Sequence, residues 1–374
     1  MTTVSNLPLE PIADPGDNAV LSLKPPARSK PAMAQFLFGT IGNTILTLAT
    51  AAILLAAVPR LIQWGVLDSI WTATDGSACR EANGACWAFL RAKFRQIIFG
   101  IYPPDQQWRP LLAVTMLFCV ILFSLPPRNW NRFLVFLWCM AVACFMILMQ
   151  GGVLGLTVVP TAYWGGLPVT LILAVSALGI GFPFGVVLAL GRRSALPVPR
   201  ILSIGLIEVI RGLPLVSLLF MSSIMLPIML PEGLTIDKLA RACVALTIFS
   251  AAYLAEVVRG GLQAIPEGQA EAARALGLNW LATIRQVVLP QAIQKVIPPL
   301  TNTIIVMVKN TALVLVVGLF DLLSSGKAAL ADPSWPSPFA ETYLFIAMIY
   351  FVICFGISRY SLYLERRAAA GHVR

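Results

Sequence analysis

Histidine is almost absent from this sequence: the single one, His372, sits in the C-terminal tail, which removes most histidine-based metal sites and catalytic triads. Charge is scarce as well. Charged residues make up 12% of the 374 positions, about half the share of a soluble protein, while 58% are hydrophobic and the mean hydropathy is +0.82. So little polar surface cannot cover a water-soluble globule of this length, and the apolar solvent that accepts such a chain is the hydrocarbon of a bilayer. Acidic residues are the rarer sign, 17 against 27 basic, for a net charge of +10. The basic residues are spread between apolar stretches instead of clustering, so they read as a membrane-orientation label and argue against nucleic-acid binding.

What is present is a series of long apolar runs, at 37–58, 110–126, 132–150, 168–190, 201–230, 239–262, 296–320 and 340–364. About 20 apolar residues in a helix span the hydrocarbon, so the runs predict an all-α integral membrane protein with about eight transmembrane helices. Pro214 and Pro227 in the over-long fifth run predict kinks or a broken helix. Residues 1–36 carry six prolines among polar residues and read as a disordered tail. No cleavable signal is expected before the first run, because Lys24, Arg28 and Lys30 lie about two dozen residues in and the run that follows is long. With eight spans, Lys24, Arg28, Lys30, Arg128, Arg132, Arg192, Arg193, Arg200, Arg259, Arg274, Arg285, Lys295, Arg366, Arg367 and Arg374 fall on one side, the cytoplasm, with both termini there. The segment at about 60–109 is then external despite its own basic residues.

Five of seven cysteines lie inside apolar runs as small hydrophobes; Cys79 and Cys86 lie in the external segment and are either a small disulfide loop or two free thiols. Trp87–Phe99 alternates apolar and basic residues, as a helix lying on the membrane surface or against other external helices would.

The hydrophobicity breaks between the sixth and seventh runs, at residues 263–295. Pro266 and Glu267 suit a helix start, Glu271 to Ala275 are strong helix formers and Gly277 is placed to end it. A second amphipathic turn with Trp280, Leu281, Ile284, Val287 and Val288 follows, stopped by Pro290. Small residues such as Gly268, Ala272 and Ala273 let a partner approach the helix backbone closely.

Within this loop Glu271-Ala272-Ala273, Gly277, Leu278, Val287 and Leu289-Pro290 resemble the EAA loop of ABC importer permeases, with Val for Ile at 287 the one departure. Further phrases extend the likeness over about 200 residues: Arg211-Gly-Leu-Pro214, Ala252-Tyr-Leu-Ala-Glu256-Val-Val-Arg259, Pro298-Pro-Leu-Thr-Asn302 and Lys309-Asn-Thr311. They resemble the polar amino-acid branch, and the extra N-terminal spans look like the M-type permease of general L-amino acid importers. Leu213 departs from the Thr common in shorter relatives. The resemblance implies a C-terminal type I permease core of five helices at 159–366, including the coupling loop 263–295. An accessory region of three spans and the external loop occupies 37–158, and a short cytoplasmic tail 367–374.

It also implies a bacterial inner-membrane subunit importing L-amino acids by alternating access. The partners would be a cytoplasmic ATPase that binds ATP and Mg, a second permease and a periplasmic binding protein. No cofactor and no catalytic residue are expected in this chain, and no metal. The expected ATPase-coupling residues are Glu267, Gly268, Glu271, Ala272, Ala273, Gly277, Leu278, Leu289 and Pro290.

Ionisable residues in spans usually face protein or a watery path. Among them here are Glu208, Arg211, Glu256 and Lys309, a candidate substrate path carrying both charges a zwitterion needs; equally, Glu208 and Arg211 could pair on one helix and Glu256 could brace Arg259. Gly326-Lys327 resembles a phosphate-loop end, but Asp321 and Ala328 break the pattern. Gly181 and Gly185 read as a helix-packing face, with Pro183 bending it. The alternative from another class is a self-sufficient channel or secondary transporter, for which Glu208 and Glu256 are the available membrane carboxylates.

Overall fold

The structure is a computed structural model that describes residues 33–153, 155–231 and 233–371, and the chain divides into two compact units, Met1–Ile62 and Gln63–Arg374. In the first, α1 (Met33–Phe38) turns into α2 (Ile41–Ile62). Polar side chains of α2 satisfy the open carbonyls at the end of α1: Asn43 Nδ2 donates to Phe36 O at 3.1 Å and Thr47 Oγ1 to Leu37 O at 2.9 Å. The tail expected over 1–36 therefore ends at or before residue 32, and its remainder lies outside the described residues. The first span is also longer than its apolar run, reaching from Ile41 to Leu67. Pro59 lies inside it, and the helix carries through Arg60, so the connection expected to begin at about residue 60 starts after Leu67.

The second unit begins with two small helices, α3 (Ser77–Glu81) and α4 (Trp87–Phe99), then α5 (Trp108–Ser124) and α6 (Arg132–Gln150). Asn131 starts α6 by accepting from Leu134 N at 3.1 Å. A long span follows, broken at Ile180 into α7 (Gly166–Gly179) and α8 (Gly181–Arg192). Next come α9 (Pro197–Gly212), α10 (Leu215–Phe220) and α11 (Leu226–Met229), and the chain bends by 106° between α9 and the segment after it. Pro214 sits at that bend, as its missing N–H and fixed φ dictate. The remaining helices are α12 (Lys238–Gln263), α13 (Glu267–Ala275), α14 (Trp280–Thr283), α15 (Leu289–Lys295), α16 (Ile297–Asn310), α17 (Leu322–Ala329) and α18 (Phe339–Gly371). Among the described residues six helices or helix pairs are long and apolar enough to cross a membrane; the bent pair makes a seventh if it is one span, and α5, at 17 residues, is the short one. The tail expected from 367 is helical to Gly371.

The centre is α12 packed on α7 and α8, and glycine sets the distance. A Cβ on Gly185 would stand 2.9 Å from Ala251 O and one on Gly181 3.1 Å from Ser250 Cβ, so the two backbones touch. This is the packing face expected from the sequence. Around it Phe145, Trp164, Leu173, Leu219 and Leu246 are buried.

Two ends of this unit can be told apart. At one, Tyr360 Oη donates to Leu125 O at 2.8 Å and Thr301 Oγ1 to Ser361 Oγ at 2.6 Å. The α5–α6 turn, the start of α16 and the last third of α18 thus lie together, beside the loop carrying α13. At the other end α4 lies against α17 and the start of α18. Cys79 and Cys86 are bonded there, with Cα atoms 5.6 Å apart. Cys86 N donates to the buried Glu341 at 2.7 Å, Arg80 donates to Pro333 O at 3.0 Å, Lys93 pairs with Asp332, and the Phe89 and Trp335 rings meet edge to face at 5.6 Å. The amphipathic segment is thus resolved as a helix against other helices. Gly100, Gly165 and Gly166 pass backbone against backbone in the same layer; a Cβ on Gly166, whose φ is +69°, would lie 2.0 Å from Ile98 O.

Candidate functional site

The loop between α12 and α16 supplies the most exposed ordered helix at its end of the unit. Along α13, Ala273 is buried, Ala270 is half-buried, and Glu267, Gly268, Gln269, Glu271, Ala272, Arg274 and Ala275 are exposed. Pro266 leads in with extended backbone and Glu267 lies in the first turn, where a carboxylate offsets the open N–H groups. The end is fully closed: Gly277, at φ +82°, donates to Arg274 O at 2.9 Å and Leu278 N to Ala273 O at 3.2 Å, the paired bonds of a Schellman motif. No atom lies within 4 Å of where a Cβ on Gly277 or Gly268 would stand. The glycine at 277 is therefore required by backbone conformation and not by crowding.

The helix is held from behind. Gln291 Nε2 donates to Gln269 Oε1 at 3.1 Å, and Asn279 caps α14 by accepting from Ala282 N at 2.9 Å. Pro290 does not stop the second amphipathic stretch, as the sequence suggested. It stands in the first turn of α15, and the preceding Ile284–Val288 widens into a π-helical turn that relieves the carbonyl its ring would strike. Leu289 is half-buried and Pro290 exposed. A cleft of about 660 Å³ runs between α13 and the α8–α9 turn, lined by Arg193, Leu196, Glu267, Glu271, Arg274 and Trp280 among others. Leu276 and Trp280 are 83% and 65% exposed, so the loop shows small and apolar surface to whatever meets it.

Three of the four ionisable span residues come together with two arginines. Glu256 of α12 accepts from Arg259 Nε at 2.9 Å on its own helix and faces Arg192 of α8 at 3.4 Å and Arg211 of α9 at 3.9 Å. Arg192 also pairs with Glu208 of α9 at 2.8 Å. Glu208 thus pairs across helices and not with Arg211, because Arg192 closes the last turn of α8 beside it. The bracing of Arg259 by Glu256 is found as expected. The Arg211 guanidinium lies 5.7 Å from the Tyr253 ring centroid. Lys309 stands apart on α16 and makes no ion pair among the described residues. Arg192 was legible only as an orientation label; a basic residue closing one span near two carboxylates in its neighbours was the available signal. Among the described residues no group of three His, Cys, Asp or Glu could hold a metal ion.

At the opposite end, Asp321 is buried and caps α17, accepting from Ser324 N at 2.9 Å and Leu323 N at 3.1 Å; burial pushes its carboxyl above the ordinary value. Lys93 beside it in space holds Asp332 well below that value.

The family described as binding-protein-dependent transport system inner membrane component matches residues 181–370. The inner membrane amino-acid ABC transporter permease protein YhdY of Escherichia coli K12 is 44% identical, covering 90% of this chain and 92% of that protein. The glutamate/glutamine/aspartate/asparagine transport system permease protein BztC of Rhodobacter capsulatus is 34% identical, covering 91% of this chain and 94% of that protein. A crystal structure of an amino acid ABC transporter with histidines shares 38% identity at a TM-score of 0.48, over 54% of this chain and 92% of that one.

Proposed function

This chain belongs to the family of inner-membrane components of binding-protein-dependent transport systems, and from that premise we propose that it is the L-amino acid permease of an ATP-driven importer, coupled to its ATPase through α13. The observation that carries the coupling role is the geometry of Glu267–Leu278: a small-residue helix, closed at its own end and exposed along most of its length. A helix of that kind can be gripped by a partner's groove without rearranging. Glu271, Ala272, Gly268 and Gly277 present the surface, while Ala273, Leu278, Leu289 and Pro290 join it to the body.

The α13 end is cytoplasmic in this reading. Arg128, Arg132, Arg192, Arg193 and Arg274 gather at it, as the positive-inside rule requires, and the disulfide of Cys79 and Cys86 lies at the other, where an oxidising compartment would keep it closed. Both termini are then cytoplasmic. A second, related permease completes the pathway as a heterodimer. ATP and Mg bind to the ATPase, and a periplasmic protein delivers the amino acid to the opposite face. Closure of the ATPase pulls on α13, and the permease halves rock about the central cavity. Glu208, Arg211, Glu256 and Lys309 border the route that the zwitterion takes.

The test replaces Gly277 with Val. Within this chain nothing lies within 4 Å of the Cβ position, so the change acts through the backbone, at a φ that costs an L-residue about 1–2 kcal/mol, and through added bulk on the surface that the partner's groove meets. Reduced association with the ATPase and reduced uptake in proteoliposomes are expected. Normal association together with normal uptake would sink the assignment, and gradient-driven uptake without any ATPase would favour a self-sufficient transporter.

A further inference from the structure

We propose that Glu256 is the hub of an electrostatic latch that sets the position of the α9–α10 bend and must open for transport; the inference rests on the permease reading above. The elements on either side differ in how they can move. The α8–α12 pair is locked by Gly181 and Gly185 with backbone against backbone, and Gly191 seats the start of α9, since a Cβ there would lie 2.2 Å from Ser203 Oγ. The far half of α9 buries Ile207 and Ile210 in side-chain clusters with α12 but has no backbone-to-backbone glycine contact of this kind. It runs into Gly212, with nothing within 4 Å of its Cβ position, then Leu213 and Pro214, where the chain turns by 106°. Beside this pivot, Glu208 and Arg211 of α9 meet Arg192 and Glu256 of the locked pair.

The charges are arranged for a contact that breaks cheaply. The pairs of Arg192 with Glu208 and of Arg211 with Glu256 cross from α9 to the locked pair, whereas Arg259 and Glu256 share α12 and stay together when α9 swings. The carboxylate of Glu256 therefore keeps a guanidinium in either position and is never left as an unpaired charge, which is the costly outcome in low dielectric. The contact of Arg211 with the Tyr253 ring of α12 also crosses from α9 to the locked pair and parts with it. All five side chains are partly open to their surroundings, 22% to 53% exposed, so no pair is sealed in. The latch also lies on the coupling loop's side. Arg193, next to Arg192, forms one wall of the cleft whose other wall is α13, and Arg259 stands one turn before the end of α12. A shift of α13 reaches the pivot through Ile265 and Ala270, which pack against the cluster that holds Leu188 of α8, Ile207 of α9 and Val258 of α12.

The experiment uses the complete transporter in proteoliposomes, with ATP hydrolysis and amino-acid uptake measured on the same preparation. In Arg192→Glu the pairs with Glu208 and Glu256 become like-charge contacts and only Arg211–Glu256 still ties α9 to the locked pair, so the ATP consumed per amino acid imported is expected to rise about fivefold or more. Adding Glu208→Arg restores an opposite-charge pair between α8 and α9 and should bring the ratio part of the way back, since position 192 still faces Glu256 with like charge. A residue that only stabilises the fold would lower hydrolysis and uptake together and leave the ratio alone. Arg211→Gln, a milder change, should raise the ratio in the same direction if the first variant fails to assemble. An unchanged ratio in the assembled variants, or a swap that does not restore it, overturns the latch. Absence of ATP-driven uptake by the wild-type complex would instead overturn the permease reading.

Discussion

Reducing the bond between Cys79 and Cys86 in the intact protein should loosen the small-helix layer that lies on α17 and α18. The two cysteines are seven apart in sequence, and closing a loop of that size restricts the open chain by about 2.4 kcal/mol on the loop-entropy relation. If α3 and α4 open as a local unit, their amides should exchange with solvent about fifty times faster after reduction. The structure names the reporters: Ala85 N to Trp64 O at 2.8 Å, Cys86 N to Glu341 Oε1 at 2.7 Å and Ala88 N to Ile70 O at 2.9 Å. Hydrogen exchange read by mass spectrometry, with and without a membrane-impermeant phosphine, measures them directly. Amides of α13, at the far end, serve as the internal control and should not change. Reduction removes no atoms from the packing, so a Cys79→Ser, Cys86→Ser double variant is a second arm that should move the same amides. Protection unchanged on reduction would refute the reasoning and leave the layer held by its non-covalent contacts, the Phe89–Trp335 pair, Lys93–Asp332, Cys86–Glu341 and Arg80–Pro333.

Gly166→Ala should be among the most damaging single methyl additions, because the new Cβ would lie 2.0 Å from Ile98 O at a φ of +69°, whereas Gly179→Ala, with nothing within 4 Å, should be tolerated; the midpoint of thermal inactivation in detergent compares them. The Lys93–Asp332 contact should be insensitive to pH from neutrality down to about 5. Its carboxylate value is lowered by the neighbouring lysine, so the contribution to stability is complete above the unfolded value of 3.8 and is lost only as pH falls through the lower folded value. Protease nicking of residues 77–99 as a function of pH checks this, and Asp332→Asn should remove the acid-dependent step.

Much of the architecture could be read from hydrophobicity, since the apolar runs and the spans coincide apart from their ends. The helix break at Pro214 and the close packing at Gly181 and Gly185 were readable because proline and glycine act through local backbone chemistry. The π-helical turn at Ile284–Val288 was not, because a proline can be absorbed by a widened turn as well as by a stop, and neighbouring contacts decide between them. Likewise helix α13 was visible from its own residues, with Gly277 marking its end. The ion cluster was only half visible. Glu208, Arg211 and Glu256 stood out as charges in apolar runs, but Arg192 belonged by sequence to a connection. Its partner was chosen by the register of α8 against α9, which no local pattern encodes. Lys309, equally conspicuous in its span, stands apart from this cluster on α16.

The contact between Cys86 and Glu341 joins residues 255 apart in the chain. A ribosome adding about 5–20 residues per second needs roughly 13–50 s to make the second after the first. During that interval α4 has emerged but neither α17 nor α18 exists for it to rest on, and its apolar side is open to wrong neighbours. The bond to Cys79 needs only residues already made. It can therefore fix the shape of the early segment while its seat is still being synthesised, so the cysteine pair acts in time as well as in space, as a placeholder during biogenesis.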